Sequence, residues 1–207
     1  QVVDPAASNQ CERYAERIYE LRCRKGVTRT EANELITNPN YYAAVMVDLG
    51  DSDAMISGLS FHYPEALRPP LQIIRTRNGS NVAAGVYLVT TRQRVVFFAD
   101  TTVNVEPDAE TLAEITILTA RLARDFDVEP RVALLSFSNF GSARQARSEG
   151  IRRAVEIIRQ REPGLIVDGE MQASTALNEE ILNGTYPFNR LHKEANVLIF
   201  PNLEAGT

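Results

Sequence analysis

The stretch RVALLSFSNFGSARQARSEGIRRAVEIIRQREPGLIVD, residues 131–168, decides the fold. Arg131 to Ser136 is a short apolar run with no polar alternation, as in a strand buried on both faces. The small and hydroxyl-rich segment Ser136-Phe137-Ser138-Asn139-Phe140-Gly141-Ser142 follows. Ile151, Ala154, Val155 and Ile158 then recur at helical spacing, and Leu165 to Asp168 is a second short strand.

Working outward, the alternation continues. Pro107 and Asp108 open a helix with Ile115, Leu118 and Leu122 on one face. Met171 to Leu182 reads as a helix and Asn196 to Phe200 as a strand. Val82 to Thr90 and Arg94 to Ala99 are β-rich, separated by a few polar residues, and predict an antiparallel hairpin. Strands alternating with helices over this length predict a three-layer α/β/α fold with a mostly parallel sheet.

The first part of the chain is helical. Ser8 is positioned to cap a helix carrying Cys11, Tyr14, Ala15 and Ile18, which runs to about Gly26. Thr28 with Glu31 has capping-box spacing, and Asn38-Pro39 opens a third helix that Gly50 ends. A strand is expected at Ala54 to Ser57, then an irregular stretch from Gly58 through Pro64, then a helix through Leu71 and Ile74. The turn Asn78-Gly79-Ser80 is the expected lobe boundary. It leaves residues 1–78 as a partial first lobe and 79–207 as a second α/β lobe, with a cleft between them. Pro201 to Thr207 resembles a loop that should feed another helix, so both ends are expected to be cut.

Composition excludes several classes. The chain has 22 Lys and Arg against 27 Asp and Glu, and a formal charge of −5 offers no field for nucleic acid or an anionic membrane. The longest apolar runs, Val132 to Leu135 and Val197 to Phe200, fall far short of the roughly 18 residues of a membrane span. Cys11 and Cys23 lie roughly 18 Å apart if one helix carries both, too far to bridge. Two histidines and no ligand spacing give no metal site. A soluble, cytoplasmic protein is expected.

Three features are candidates for chemistry. Arg22 falls on the same helical stripe as Cys11 and Ile18, either as a guanidinium awaiting an anion or as a snorkelling arginine at a helix C-terminus. Arg68 precedes Pro69 and Pro70, which disfavours helix at that position, so it reads either as a ligand-facing residue on an irregular segment or as an ordinary surface arginine. The serine loop, with Ser136, Ser138, Asn139, Gly141 and Ser142, would present hydroxyls and free backbone amides to an anion at a helix start. It would equally serve as an ordinary capped loop, and no Lys follows it as in a nucleotide P-loop. Asp100, Asp168 and Glu170 sit at strand ends, as bases or caps, with Asp168-Gly169-Glu170 read as a strand-to-helix turn.

These residues resemble a family. Val3-Asp4-Pro5, Tyr19-Glu20-Leu21-Arg22 with Lys25-Gly26, Ile56-Ser57-Gly58, Leu67-Arg68-Pro69, Asn104 with Pro107, Pro130 to Ser142, Val167 to Met171 and Ala195 to Gly206 occur in the same order in phosphate acetyl- and butyryltransferases. Ser138-Asn139-Phe140-Gly141-Ser142 and Phe98-Ala99-Asp100-Thr101 resemble most the acetyltransferase-like C-terminal region of bacterial NADP-dependent malic enzymes. The resemblance implies that Arg22, Arg68 and the serine loop bind acetyl phosphate, phosphate or the phosphates of coenzyme A and acetyl-CoA. It implies a homo-oligomer and, in a malic-enzyme parent, NADP and a divalent metal upstream. The family's catalytic Asp lies beyond Thr207, so no catalytic residue is assigned.

Overall fold

The computed structural model describes residues 2–76, 80, 82–92, 94–143 and 145–207. They form two compact units, Gln1–Gly79 and Ser80–Thr207. Asn78 and Gly79, the first two residues of the expected boundary turn, lie outside the described residues.

The first unit contains α1 (Cys11–Arg22), α2 (Arg29–Leu35), α3 (Pro39–Asp48) and α4 (Tyr63–Ile73). Tyr14, Ala15 and Ile18 stack on one face of α1 because residues three and four apart share a face, and they bury against Ile36, Val45 and Ile73. The capping box of α2 is complete: the Thr28 hydroxyl accepts from the Glu31 amide at 3.2 Å, and the Glu31 carboxylate accepts from the Thr28 amide at 2.7 Å. Asn38 caps α3, accepting from the Asn40 amide at 2.9 Å, with Pro39 in the first turn.

Three expectations fail in this unit. Ser8 does not cap α1; its hydroxyl accepts from the Gln10 amide at 3.1 Å, and Gln10 holds the cap position two residues later. Residues 54–57 form no strand among the described residues. A short run with no neighbouring strand has no ladder to satisfy its backbone, and Ile56 is wholly exposed while Met55 packs on the helices. Arg68 is helical, inside α4, despite the two prolines after it. Burial of Pro69 and Ile73 on the core side overrides the pre-proline bias.

The second unit contains β1 (Val86–Thr90), β2 (Val95–Ala99), α5 (Ala109–Asp125), β3 (Arg131–Leu135), α6 (Ala146–Arg161), β4 (Ile166–Met171), α7 (Ala173–Ala176), α8 (Glu179–Thr185), β5 (Val197–Ile199) and α9 (Leu203–Gly206). The sheet runs β1-β2-β5-β3-β4, with β1 antiparallel to β2 and the other pairs parallel. Side chains alternate across it. Val132, Leu134 and Val167 pack with Ile115 of α5 and Ile158 of α6. Ala133, Leu135 and Leu198 pack on the other face with Ala176 and Leu182. Helices therefore cover both faces, and each fully buried Leu or Ile contributes about 1.5–3 kcal/mol.

The expected helix from Met171 to Leu182 is instead the end of β4 followed by two short helices. Asn178 restarts the chain as the cap of α8, accepting from the Ile181 amide at 3.1 Å. Asp168-Gly169-Glu170 is strand rather than turn. Gly169 has φ +152°, and a β-carbon there would lie 2.7 Å from the Leu134 carbonyl oxygen, so only glycine lets β4 approach β3 this closely.

Candidate functional site

In open α/β sheets, ligands sit beyond the carboxyl ends of the strands. In the second unit the segment after β3 is the serine loop, and a cavity of about 330 Å³ opens beside it. Its walls include Leu135, Ser136 and Phe137 from β3 and the loop, Arg147 from the first turn of α6, and Phe200 and Asn202 after β5. The lining is mainly apolar, with a hydroxyl and a guanidinium at its edge. Arg147 also meets Glu106 at 3.2 Å, and both are exposed.

The loop is fastened to the end of β4. The amides of Phe140 and Gly141 donate to the Glu170 carbonyl and carboxylate, each at 2.8 Å. The Gln172 amide donates to the Asn139 side chain at 2.8 Å, and the Gln172 side chain donates to the Phe137 carbonyl at 2.8 Å. The Phe140 ring packs on Tyr186 and Phe188, with centroids 5.0 and 5.1 Å away.

The loop differs from its expected form in one respect that matters for chemistry. Its amides are not free: Ser138 donates to Ser136 Oγ, Asn139 to Ser142 Oγ, and Ser142 to the Asn139 carbonyl. With Phe140 and Gly141 bonded to Glu170, every amide from 138 to 142 has an acceptor. Ser138 is buried, Asn139 is engaged with Gln172, and Ser142 and Gly141 are exposed on the loop's outer turn. Of the seven residues singled out in the sequence, Ser136 alone lines this cavity.

Arg22 and Arg68 belong to the first unit, where the charges of both act on one tyrosine. Burial pushes the Tyr41 hydroxyl above its ordinary range, while the positive charges of Arg68 and Arg22 pull it back. Tyr41 donates to Gln72 Oε1 at 2.6 Å. Arg22 Nε is buried without a hydrogen-bond partner. The ion pairs of this unit use Arg13, Arg17 and Arg29, and neither Arg22 nor Arg68 makes one among the described residues. Two cations without a carboxylate beside them suit an anionic ligand.

The three acidic candidates have structural partners. Asp100 accepts from the amides of Gly85, Thr102, Val103 and Asn104 at 2.7–3.1 Å. Asp168 pairs with Arg159 at 2.8 Å and accepts from the Arg190 amide at 2.8 Å. Glu170 is wholly buried beneath the serine loop. Sequence reasoning missed Arg147, Arg152 and the role of Glu170. A glycine inside a strand pattern marks a bulge, and Gly169 carried that signal for Glu170.

Comparison with known proteins agrees along the whole chain. A family model described as "Phosphate acetyl/butaryl transferase" matches residues 1–207. The chain is 40% identical to an NADP-dependent malic enzyme of Escherichia coli over 207 residues, covering all of this chain and 27% of that protein. It is 38% identical to a phosphate acetyltransferase of Synechocystis over 206 residues, all of this chain and 30% of that protein. It therefore spans under a third of the length of these curated relatives. A phosphotransacetylase structure from Streptococcus pyogenes superposes with a TM-score of 0.90 at 33% identity, covering 98% of this chain and 62% of that one. The EutD phosphotransacetylase of Staphylococcus aureus gives 0.87 at 32% identity, covering 100% and 63%. A match that begins at residue 1 and ends at residue 207, on the fold these structures share, makes the chain a member of the phosphate acetyl- and butyryltransferase family.

Proposed function

We propose that this phosphate acetyltransferase-like domain binds acyl-CoA and acyl phosphate, and that it is the regulatory, oligomerising part of an NADP-dependent malic enzyme. The observation that carries the binding reading is the apolar cavity at the carboxyl ends of β3 and β5, edged by Ser136 and Arg147. An acyl group or pantetheine arm suits the apolar wall, and a phosphoryl group suits the guanidinium. In the first unit Arg22 and Arg68 offer their own cationic contacts to an anion, and in the second Ser138, Asn139, Gly141 and Ser142 shape the loop. In acyl transfer a base, not assigned in this chain, takes the thiol proton, the thiolate forms the C–S bond at the acyl carbon, and the acyl C–O bond breaks to release phosphate; cationic side chains favour the charge that develops.

The malic-enzyme parent is favoured by the Ser138-to-Ser142 and Phe98-to-Thr101 segments and by the 40% identical relative. In such a parent NADP and a divalent metal are held outside this chain, whose described residues include no group of three metal-ligating side chains. A stand-alone phosphate acetyltransferase is the second reading, favoured by relatives of that name at similar identity. No helix among the described residues is long and apolar enough to cross a membrane, and we place the domain in the cytoplasm. Self-association is assigned to the hairpin and helices of the second unit, where the edge strand β1 exposes Tyr87 and Leu88.

Calorimetric titration with coenzyme A, acetyl-CoA and acetyl phosphate tests the binding reading; saturable heats are expected, and none with any of the three would overturn it. The intact gene product separates the parents. Malate oxidation that responds to acetyl-CoA supports the first, and phosphate-dependent cleavage of acetyl-CoA without malate oxidation supports the second.

A further inference from the structure

We propose that Glu170 is a positioning residue: its buried carboxylate holds the serine loop and fixes the direction of the hydroxyl protons, so that Ser136 faces the cavity as a hydrogen-bond acceptor. The ligand side of this inference rests on the acyl-CoA reading above.

The position of Glu170 comes from a register shift. Leu134 pairs with Gly169 and Leu135 with Met171, so Glu170 is the extra residue of a bulge. A bulge re-aims a side chain, and here the carboxylate turns under the loop with no exposed surface. A carboxylate buried alone would be very costly. Its oxygen Oε1 instead accepts from the Gly141 amide at 2.8 Å, Ser138 Oγ at 3.3 Å and Arg152 Nη1 at 3.3 Å. Arg152 reaches Oε2 at 3.5 Å and supplies the counter-charge from α6.

The charge orders the serines. An ionised carboxylate only accepts, so the one proton of Ser138 points to Glu170. Ser138 must then accept from its other two hydroxyl neighbours, Ser136 at 3.4 Å and Ser148 at 3.3 Å. With its proton turned inward, Ser136 offers the cavity an oxygen lone pair. That suits a donor such as a thiol S–H or an amide N–H, both carried by the pantetheine arm of coenzyme A. A phosphate oxygen is itself an acceptor and is directed to Arg147 instead.

The Glu170→Gln variant keeps the shape and removes the charge. With its amide nitrogen at the Oε1 position it can donate to Ser138, at the cost of the Gly141 bond, and the hydroxyl chain is free to reverse. Coenzyme A affinity is expected to fall about tenfold, the scale of one hydrogen bond, while inorganic phosphate affinity changes less than about twofold. Hydrogen exchange at the Gly141 amide, which donates to the carboxylate, is expected to accelerate. A purely structural role would weaken both ligands alike; equal weakening, or unchanged exchange at the Gly141 amide, overturns the proposal. If the wild-type protein binds no coenzyme A, the acyl-CoA reading falls, and the exchange comparison, which needs no ligand, still decides whether Glu170 holds the loop. Should Glu170→Gln fail to fold, Arg152→Gln carries the same measurements, since that side chain is 35% exposed. Loss of the Arg152 bonds to Oε1 and Oε2 should loosen the carboxylate's hold on the loop and weaken coenzyme A more than phosphate, as in Glu170→Gln.

Discussion

Asn139 and Gln172 hold each other twice. The Asn139 side-chain oxygen accepts from the Gln172 backbone amide at 2.8 Å, and the Asn139 side-chain nitrogen donates to Gln172 Oε1 at 3.2 Å. Gln172 adds a third bond, to the Phe137 carbonyl. The loop that walls the cavity is thus tied to the residue that follows β4, and cavity shape depends on strand geometry.

Replacing Gln172 with Ala removes two of these bonds and keeps its backbone amide. At about 0.5–1.5 kcal/mol per net hydrogen bond, an exposed clamp of this kind should cost about 1–2 kcal/mol. The variant should remain folded, with a lower urea midpoint and faster proteolysis at the loop around Phe137.

Gly169→Ala tests the strand geometry itself. A methyl group would meet the Leu134 carbonyl oxygen at 2.7 Å and adopt a φ of +152° that L-residues avoid. Forcing β3 and β4 apart should cost at least about 1–3 kcal/mol. It should also withdraw Glu170 from Gly141, so thermal unfolding and amide exchange at Gly141 should move together. A normal melt with unchanged exchange would show that the bulge tolerates the methyl group.

Much of this was legible in the sequence. Two periodicities gave the sheet and its flanking helices: the unbroken apolar run of Val132 to Leu135, and Ile151, Ala154, Val155 and Ile158 at helical spacing. Thr28 with Glu31 and Asn38 with Pro39 marked helix starts because capping is local chemistry. Residues 54–57 and Arg68 were misread because their state is set by what packs beside them, which no local signal encodes. At the site, the loop was recognisable from its composition. The acceptors of its amides were not, because Glu170 and Gln172 lie about 30 residues further on and reach the loop only through the parallel pairing of β3 and β4.

The Tyr14–Asp51 contact makes stability depend on pH. The Tyr14 hydroxyl donates to Asp51 at 2.6 Å, and Arg13 pairs with the same carboxylate at 2.9 Å. Burial, then the bond to Asp51, push Tyr14 from its usual 10.0 up to about 12. The Tyr14 bond, and next Arg13, hold Asp51 below its ordinary range. A raised folded-state value stabilises the protonated tyrosine, so the Tyr14 contribution is complete below pH 10.0 and is lost as pH rises from there to about 12. The depressed Asp51 value contributes above the ordinary carboxylate range and is lost as pH falls below it. Urea unfolding across alkaline pH should show a falling limb that Tyr14→Phe flattens; an unchanged limb in the variant would assign the slope to other groups.

The charges of Arg22 and Arg68 both act on Tyr41, and neither side chain makes an ion pair among the described residues. If they recognise the phosphates of coenzyme A, each contributes charge-assisted bonds of about 1.5–3 kcal/mol. Arg68→Ala should then weaken coenzyme A binding by roughly 10- to 100-fold. Because Arg68 is exposed on α4, its removal should leave the melting temperature within a few degrees. Arg22→Lys should recover only part of the affinity lost in Arg22→Ala, since an ammonium keeps the charge but not the planar fork that grips two oxygens. Raising salt should weaken wild-type binding more steeply than binding by the Arg68→Ala variant, because fewer charges remain to be screened. Equal affinity and equal salt dependence in wild type and Arg68→Ala would place the phosphates elsewhere and leave Arg68 as a surface arginine of α4.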